Sequence, residues 1–192
     1  MSRMPEREEP HSRGVKLTYD DYVLFPDDGM RHELIDGEHF VTPAPNTRHQ
    51  RISRRLTVAL ARWLEDHPVG EVFYAPFDVV FSKFDVVEPD LVYVSHERAR
   101  ELLTDKHALG ADLVIEIASP STRRRDETLK LKLYERAGVR EYWFVDPDRD
   151  VIRVYRRTLH EFATPDSFSG TDAVVTSPLL PGFKLHLRKM FE

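Results

Sequence analysis

Two carboxylates stand where a folded chain would find them costly. Asp90 follows Pro89 at the head of the apolar run Leu91-Val92-Tyr93-Val94, and Glu116 interrupts a second run, Leu113-Val114-Ile115-Glu116-Ile117-Ala118. An ionised carboxylate inside a buried strand is unfavourable unless a metal, a cation or several donors compensate it. Lys130, in the helical segment that follows, offers a cation. Two such carboxylates beside a lysine suggest a divalent-metal site for phosphodiester chemistry. The same residues also admit a buried Glu116–Lys130 ion pair with no metal.

The elements that must position these groups can be read from spacing. Thr18 can cap a short helix through Phe25, stopped by Pro26 and the Asp27-Asp28-Gly29 turn. His32–Ile35 and Glu38–Val41 flank Asp36-Gly37, a hairpin signal. Asn46 caps a long helix to about Asp66, in which Ile52, Leu56, Ala59, Leu60 and Trp63 form an inward stripe. Strand-like runs follow over Val72–Phe81, Leu91–Val94 and Leu113–Ala118, with a short polar helix near Glu97–Leu103. A helix over Arg125–Ala137 ends at Gly138, a suitable left-handed cap. Glu141–Val145 and Val151–Arg156 make another hairpin, and Glu161–Glu192 reads as turns and short edge strands, with Leu179–Phe183 folding back over the core. This order predicts an α/β (α+β) fold, a mixed central sheet flanked by helices. One domain is expected over 15–192, after a disordered arm over 1–14. Ligands of such sheets gather at strand ends, where Asp90 lies.

Composition narrows the classes. The 28 Lys+Arg and 33 Asp+Glu give a net charge of −5, which argues against coating nucleic acid through a general positive field. Any nucleic-acid contact is therefore local. With no cysteine, disulfides and thiolate zinc sites are excluded, and the nine histidines show no HExxH or paired-ligand spacing. Met1–Gly14 has no apolar h-region, and no run approaches a membrane span. The expected compartment is the cytoplasm, with no membrane partner.

Pro89-Asp90, then Glu116 on the next core strand, then Lys130 resemble the PD-(D/E)xK nuclease superfamily. The longer block Asp112–Thr122, followed by Asp126, Lys130, Tyr134 and Gly138-Val139-Arg140-Glu141-Tyr142-Trp143, is similar to a large bacterial family of uncharacterised restriction-endonuclease-like proteins. The resemblance runs from about Leu17 to Phe191. One departure from the superfamily pattern is Ala118, two residues after Glu116, where the lysine normally stands; in the resembling family it has migrated to the next helix, at the position of Lys130. Helix geometry tests this independently. At 100° per residue, Asp126, Lys130, Leu133, Tyr134 and Ala137 share an arc of about 100°, whereas Lys132 is rotated about 200° from Lys130.

The resemblance implies a Mg²⁺- or Mn²⁺-dependent endonuclease acting on nucleic acid, with DNA the expected substrate and a homodimer the expected assembly. Asp90, Glu116 and the Ile117 carbonyl would hold the metal, and Lys130 would assist the attacking water. Arg123, Arg124 and Arg125 lie between the Glu116 strand and the Lys130 helix, placed to reach phosphates. Glu33 is a further ligand or water-positioning candidate, or a solvated strand-end residue. His49 is a rim residue or a satisfied core histidine. Asp126 shares the Lys130 face, and its first-turn position is equally explained by the helix dipole. Tyr134, Tyr142 and Trp143 read as core. The alternative function is a catalytically inactive nuclease fold that binds nucleic acid or a protein partner.

Overall fold

The computed structural model of the protein describes residues 15–192; the arm expected over 1–14 lies outside them. Thr18 caps a helix shorter than expected, α1 (Tyr19–Tyr22). The hairpin forms as predicted from β1 (Arg31–Ile35) and β2 (Glu38–Thr42). Asp36 and Gly37 at its turn have φ of 53° and 75°, the left-handed pair that a two-residue hairpin requires. In α2 (Thr47–Asp66), the Asn46 side chain accepts from His49 N–H. Ile52, Leu56 and Leu60 are buried, each worth roughly 1.5–3 kcal/mol. Leu64 completes the stripe, and Ala59 and Trp63 flank it.

The run over Val72–Phe81 is not one strand. It divides into β3 (Gly70–Tyr74) and β4 (Val79–Ser82), which belong to different sheets. Pro76, with no N–H to offer a ladder, lies between them. A three-residue strand, β5 (Asp85–Val87), follows; it is too short to show a period in the sequence. Next come β6 (Leu91–Ser95), α3 (His96–Leu102) and β7 (Leu113–Ile117). The helix after β7 starts earlier than predicted. It runs as α4 (Arg123–Arg125), a π-helical turn (Asp126–Lys130) and α5 (Leu131–Arg136). Ala137, expected inward, is exposed, because the helix has ended and Gly138 turns the chain at φ 80°. The chain closes with β8 (Glu141–Asp146), β9 (Val151–Arg156), β10 (Asp166–Ser169), β11 (Val174–Ser177), β12 (Leu180–His186) and a last helix, α6 (Arg188–Phe191), that the sequence reading omitted.

The strands form a mixed six-stranded sheet, β10-β9-β8-β7-β6-β3, in which only β7 and β8 run parallel. A four-stranded sheet, β2-β1-β5-β4, and the β11-β12 ribbon complete the fold. Alternation along the central strands decides which residue faces which layer. Leu91, Tyr93, Leu113, Ile115, Ile117 and Trp143 pack against α2 and the β12 end of the chain. Val92, Val94, Val114, Tyr142 and Phe144 face the opposite layer, with Leu133 and Tyr134 of α5. Glu116 falls on that second face by its even position. Among the described residues no helix is long and apolar enough to cross a membrane.

Candidate active site

The register joining β6 to β7 creates the site. Leu91 pairs with Ile115 and Val92 with Val114, so one further step sets Asp90 opposite Glu116. Opposed residues of an antiparallel pair share a face. Both carboxylates are buried, as are Glu33, His49, Asp126 and Lys130.

Each carboxylate has its own partners. Asp90 Oδ1 accepts from Arg31 Nη1 at 3.1 Å, and Oδ2 accepts from His49 Nε2 at 3.1 Å and Ile117 N–H at 2.8 Å. Burial alone would raise Asp90, but His49, Arg31 and the Ile117 amide outweigh it and hold the carboxyl below its usual range. An ionised carboxylate only accepts, so His49 donates through Nε2, and its buried Nδ1 has no partner among the described residues. Glu116 Oε1 accepts from Lys130 Nζ at 2.8 Å and from the Tyr134 hydroxyl at 2.5 Å. Its other oxygen takes no hydrogen bond among the described residues. Burial pushes the Glu116 pKa up; Lys130 opposes the shift, and the charges of Asp90 and Glu33 add to it.

Lys130 joins the two sheets. Its ammonium lies 2.6 Å from Glu33 Oε1 and 2.8 Å from Glu116 Oε1. Burial works against the charge, but Glu116, Glu33 and Asp126 outweigh it and raise the pKa, so the lysine stays protonated. Lys132 is exposed, as its phase predicts, although the Lys130 turn is π-helical. Lys132 lies in α5, past the wider turn, so the two-residue rotation separating it from Lys130 is close to that of an α-helix. Glu33 reaches the site from β1, where its Oε1 also accepts from Glu88 N–H at 3.1 Å.

Asp126 lines the same cavity, 1% exposed, and its Oδ1 has no hydrogen-bond partner among the described residues. Burial drives its pKa well up, Lys130 opposes, and Glu116 adds to the rise. A carboxyl whose folded pKa is raised loses stability as pH climbs from its unfolded value, about 4, through its folded value, because only the unfolded state ionises in that window. Asp126→Asn removes this loss. Thermal melts should coincide with wild type near pH 4, and the variant should become the more stable protein as pH rises.

The three arginines part company. Arg123 is held by Asp146, with Nη1 2.5 Å from Oδ2 and Nη2 2.7 Å from Oδ1, and also contacts Asp148 at 3.0 Å. Arg124 is exposed. Arg125 lines the cavity, donating to Thr42 Oγ1 at 2.5 Å, 3.5 Å from Glu33 Oε2 and stacked over the Phe40 ring.

The cavity has a volume of about 210 Å³, walled by the Pro43–Asn46 segment on one side and Ser119–Thr122 on the other. A second cleft of about 420 Å³ adjoins it, sharing Arg31, His49 and Asp90. Sequence reasoning missed Arg31, Glu88 and the polar role of Tyr134. Arg31 is two residues before Glu33 on β1 and Glu88 two before Asp90, so strand period offered a signal. Glu88 lies 3.8 Å from Arg31, and burial, against that guanidinium, lifts its pKa to about 7. Tyr134 is core, as expected, yet its hydroxyl is a site group.

Residues 19–188 match the Uma2 family, described as "Putative restriction endonuclease". The chain belongs to that family. Among solved structures, the Uma2 chain is similar to "a putative nuclease belonging to DUF820" from Anabaena variabilis. The two are 20% identical, with a TM-score of 0.77, and the match covers 91% of this chain and 97% of that one. At this identity the likeness is one of fold, and it fits the mixed sheet flanked by helices. No curated protein matches.

Among the described residues of this Uma2 protein, no group of three or more histidine, aspartate or glutamate side chains is already gathered around one metal position. The donor chemistry nevertheless fits a hard divalent cation. Four carboxylates line one cavity, Glu33 Oε2 and Asp126 Oδ1 are buried without hydrogen bonds among the described residues, and burial, with the charges of Asp90 and Glu33 adding to it, disfavours the Glu116 anion.

Proposed function

We propose that this protein is a metal-dependent endonuclease that hydrolyses phosphodiester bonds in DNA, with two chains acting as a homodimer to cut both strands. The observation that carries this reading is the register-opposed Asp90 and Glu116 with the Lys130 ammonium 2.8 Å from Glu116. Asp90, Glu116 and the Ile117 carbonyl would hold Mg²⁺ or Mn²⁺. Such an ion acidifies a bound water and polarises a phosphate oxygen.

This chain's own residues supply the rest. Arg31, His49 and the Ile117 amide fix the Asp90 carboxylate, and Tyr134 fixes Glu116. Lys130, charged and held from behind by Glu33, orients the attacking water and offsets negative charge growing on the phosphate. Arg125 in the cavity and exposed Arg124 next to it in sequence are the members of the arginine run suited to phosphate. Arg123 supports that loop through Asp146.

A second reading rests on the closure of the network: Glu33, Asp90 and Glu116 are matched by Arg31, Arg125 and Lys130. Three carboxylates against three cations is the balance of a structural ion cluster. Under it the protein binds nucleic acid or a protein partner without hydrolysis.

A panel of plasmid, linear duplex, single-stranded DNA and RNA, each with Mg²⁺, Mn²⁺ or chelator, separates the two. Cleavage of the DNA substrates with metal and none with chelator is the expected result. Absence of hydrolysis on every substrate would leave the second reading, and hydrolysis of RNA alone would overturn the choice of DNA.

A further inference from the structure

We propose that the outward face of α2 is the track on which the phosphate backbone of duplex DNA lies as it enters the site; this rests on the nuclease reading above. Between Thr47 and Arg62 the helix carries Arg48, Arg51, Arg54, Arg55 and Arg62 and no aspartate or glutamate, in a chain of net charge −5. Elsewhere the arginines are largely spent on acids. Arg31, Arg98, Arg123, Arg136, Arg153 and Arg156 all hold carboxylates. On α2 Arg48 alone does so among the described residues. Arg48 contacts Asp150, and Arg55 donates to the Met190 carbonyl. Arg51, Arg54 and Arg62 are exposed and have no ion pair or hydrogen bond among the described residues.

Helix phase places these free guanidinia together. With the buried Ile52, Leu56 and Leu60 setting the inward direction, Arg51, Arg54 and Arg62 fall within about 80° of one another on the opposite side. Their rise from Arg51 to Arg62 is about 16 Å, the span of roughly five base-pair steps.

The face also leads to the site. His49, Gln50 and Ser53 of the same helix line the second cleft, which reaches Asp90, and Arg54 lies one helical turn beyond Gln50. Exposed Arg124 and cavity-lining Arg125 follow the Ser119–Thr122 wall across the site. A polyanion gripped between Arg62 and Arg48 of α2 has its nearest phosphates delivered to the carboxylates along a stretch of helix without acids, and exposed Glu65, one turn beyond Arg62, marks the far end of that stretch. Arginine is the residue suited to planar contact with phosphate oxygens. A local track of this kind is how an acidic protein binds DNA with no general positive field.

The test is fluorescence anisotropy on the full chain with a labelled DNA duplex in chelator, across a salt series. It compares wild type, the double variant Arg51→Glu/Arg54→Glu, and a control, Lys132→Glu/Lys184→Glu, that changes the net charge equally at exposed positions. The α2 variant should bind at least about tenfold more weakly, and its slope of log affinity on log salt should flatten by about two, one phosphate contact per arginine. The control should stay within about twofold of wild type, and melting temperatures should agree across all three. Equal loss in variant and control, or an unchanged salt slope, overturns the track. If wild type cleaves DNA with metal while its binding ignores Arg51 and Arg54, the track fails and the nuclease reading stands. If wild type neither binds nor cleaves DNA, both fail. Competition by polyglutamate as effective as that by unlabelled duplex of equal charge would assign the face to an acidic protein partner and overturn the proposal.

Discussion

Lys130→Ala should lose at least about 100-fold in metal-dependent cleavage, the scale of removing one group that stabilises transition-state charge, while Lys132→Ala cleaves as wild type. The two lysines share a helix and a charge and differ in facing: Lys130 is 2% exposed between Glu33 and Glu116, and Lys132 is exposed. Metal binding should survive in both, because an ammonium is not a ligand. Loss of Lys130 also leaves two buried carboxylates with less compensation, so a destabilisation of about 3–5 kcal/mol is expected. Lys130→Met preserves the stem and separates the effects. It should remain inactive at a temperature where circular dichroism shows it folded. Equal losses at Lys130 and Lys132 would mean that Lys130 has no special part in the reaction.

The second large effect concerns the metal itself. Asp90→Ala and Glu116→Gln should each weaken Mn²⁺ binding in calorimetry by more than the roughly 10–100-fold that follows loss of an outer-shell partner. His49→Ala and Tyr134→Phe, which remove contacts to Asp90 and Glu116, should fall within that smaller range. The pH dependence has a definite sign. Burial holds the Glu116 pKa above its usual value, so a proton competes with the cation below that raised value and is gone above it. Mn²⁺ affinity should therefore rise with pH, and binding heats should vary with buffer ionisation enthalpy as protons are released. Glu116→Gln should show neither trend. Unchanged binding in Asp90→Ala or Glu116→Gln would remove that residue from the metal site.

These experiments concern residues of unequal legibility. Asp90 and Glu116 stood out because a single charge interrupts or heads a run of strand-forming apolar residues, and such runs are buried on both faces. Lys130 was legible by phase, because Lys132, Leu133 and Tyr134, against which it is phased, lie in the α-helical α5 that follows the π-helical turn. What pairs with them was harder to see. Glu33 and Arg31 arrive from a different sheet, joined through β5, and three residues carry no readable period. The contact from His49 crosses from the start of α2 to the head of β6, a long-range meeting that no local pattern encodes. Tyr134 read as core and is core, yet a buried hydroxyl needs an acceptor and here the acceptor is Glu116. Arg123 illustrates the converse: a basic run suggested phosphate binding, and the acid that occupies Arg123 sits 23 residues away at the end of β8.

The central claim is that Asp90, Glu116 and Lys130 form one metal-dependent hydrolytic site. Its most direct test is conversion of supercoiled plasmid to nicked and linear forms by wild type and Glu116→Gln, side by side, with Mn²⁺ and with Mn²⁺ plus excess chelator. Wild type should convert the plasmid only when metal is free, and Glu116→Gln, folded by circular dichroism, should leave it supercoiled. Cleavage that persists in chelator, or a Glu116→Gln rate equal to wild type, would contradict the account.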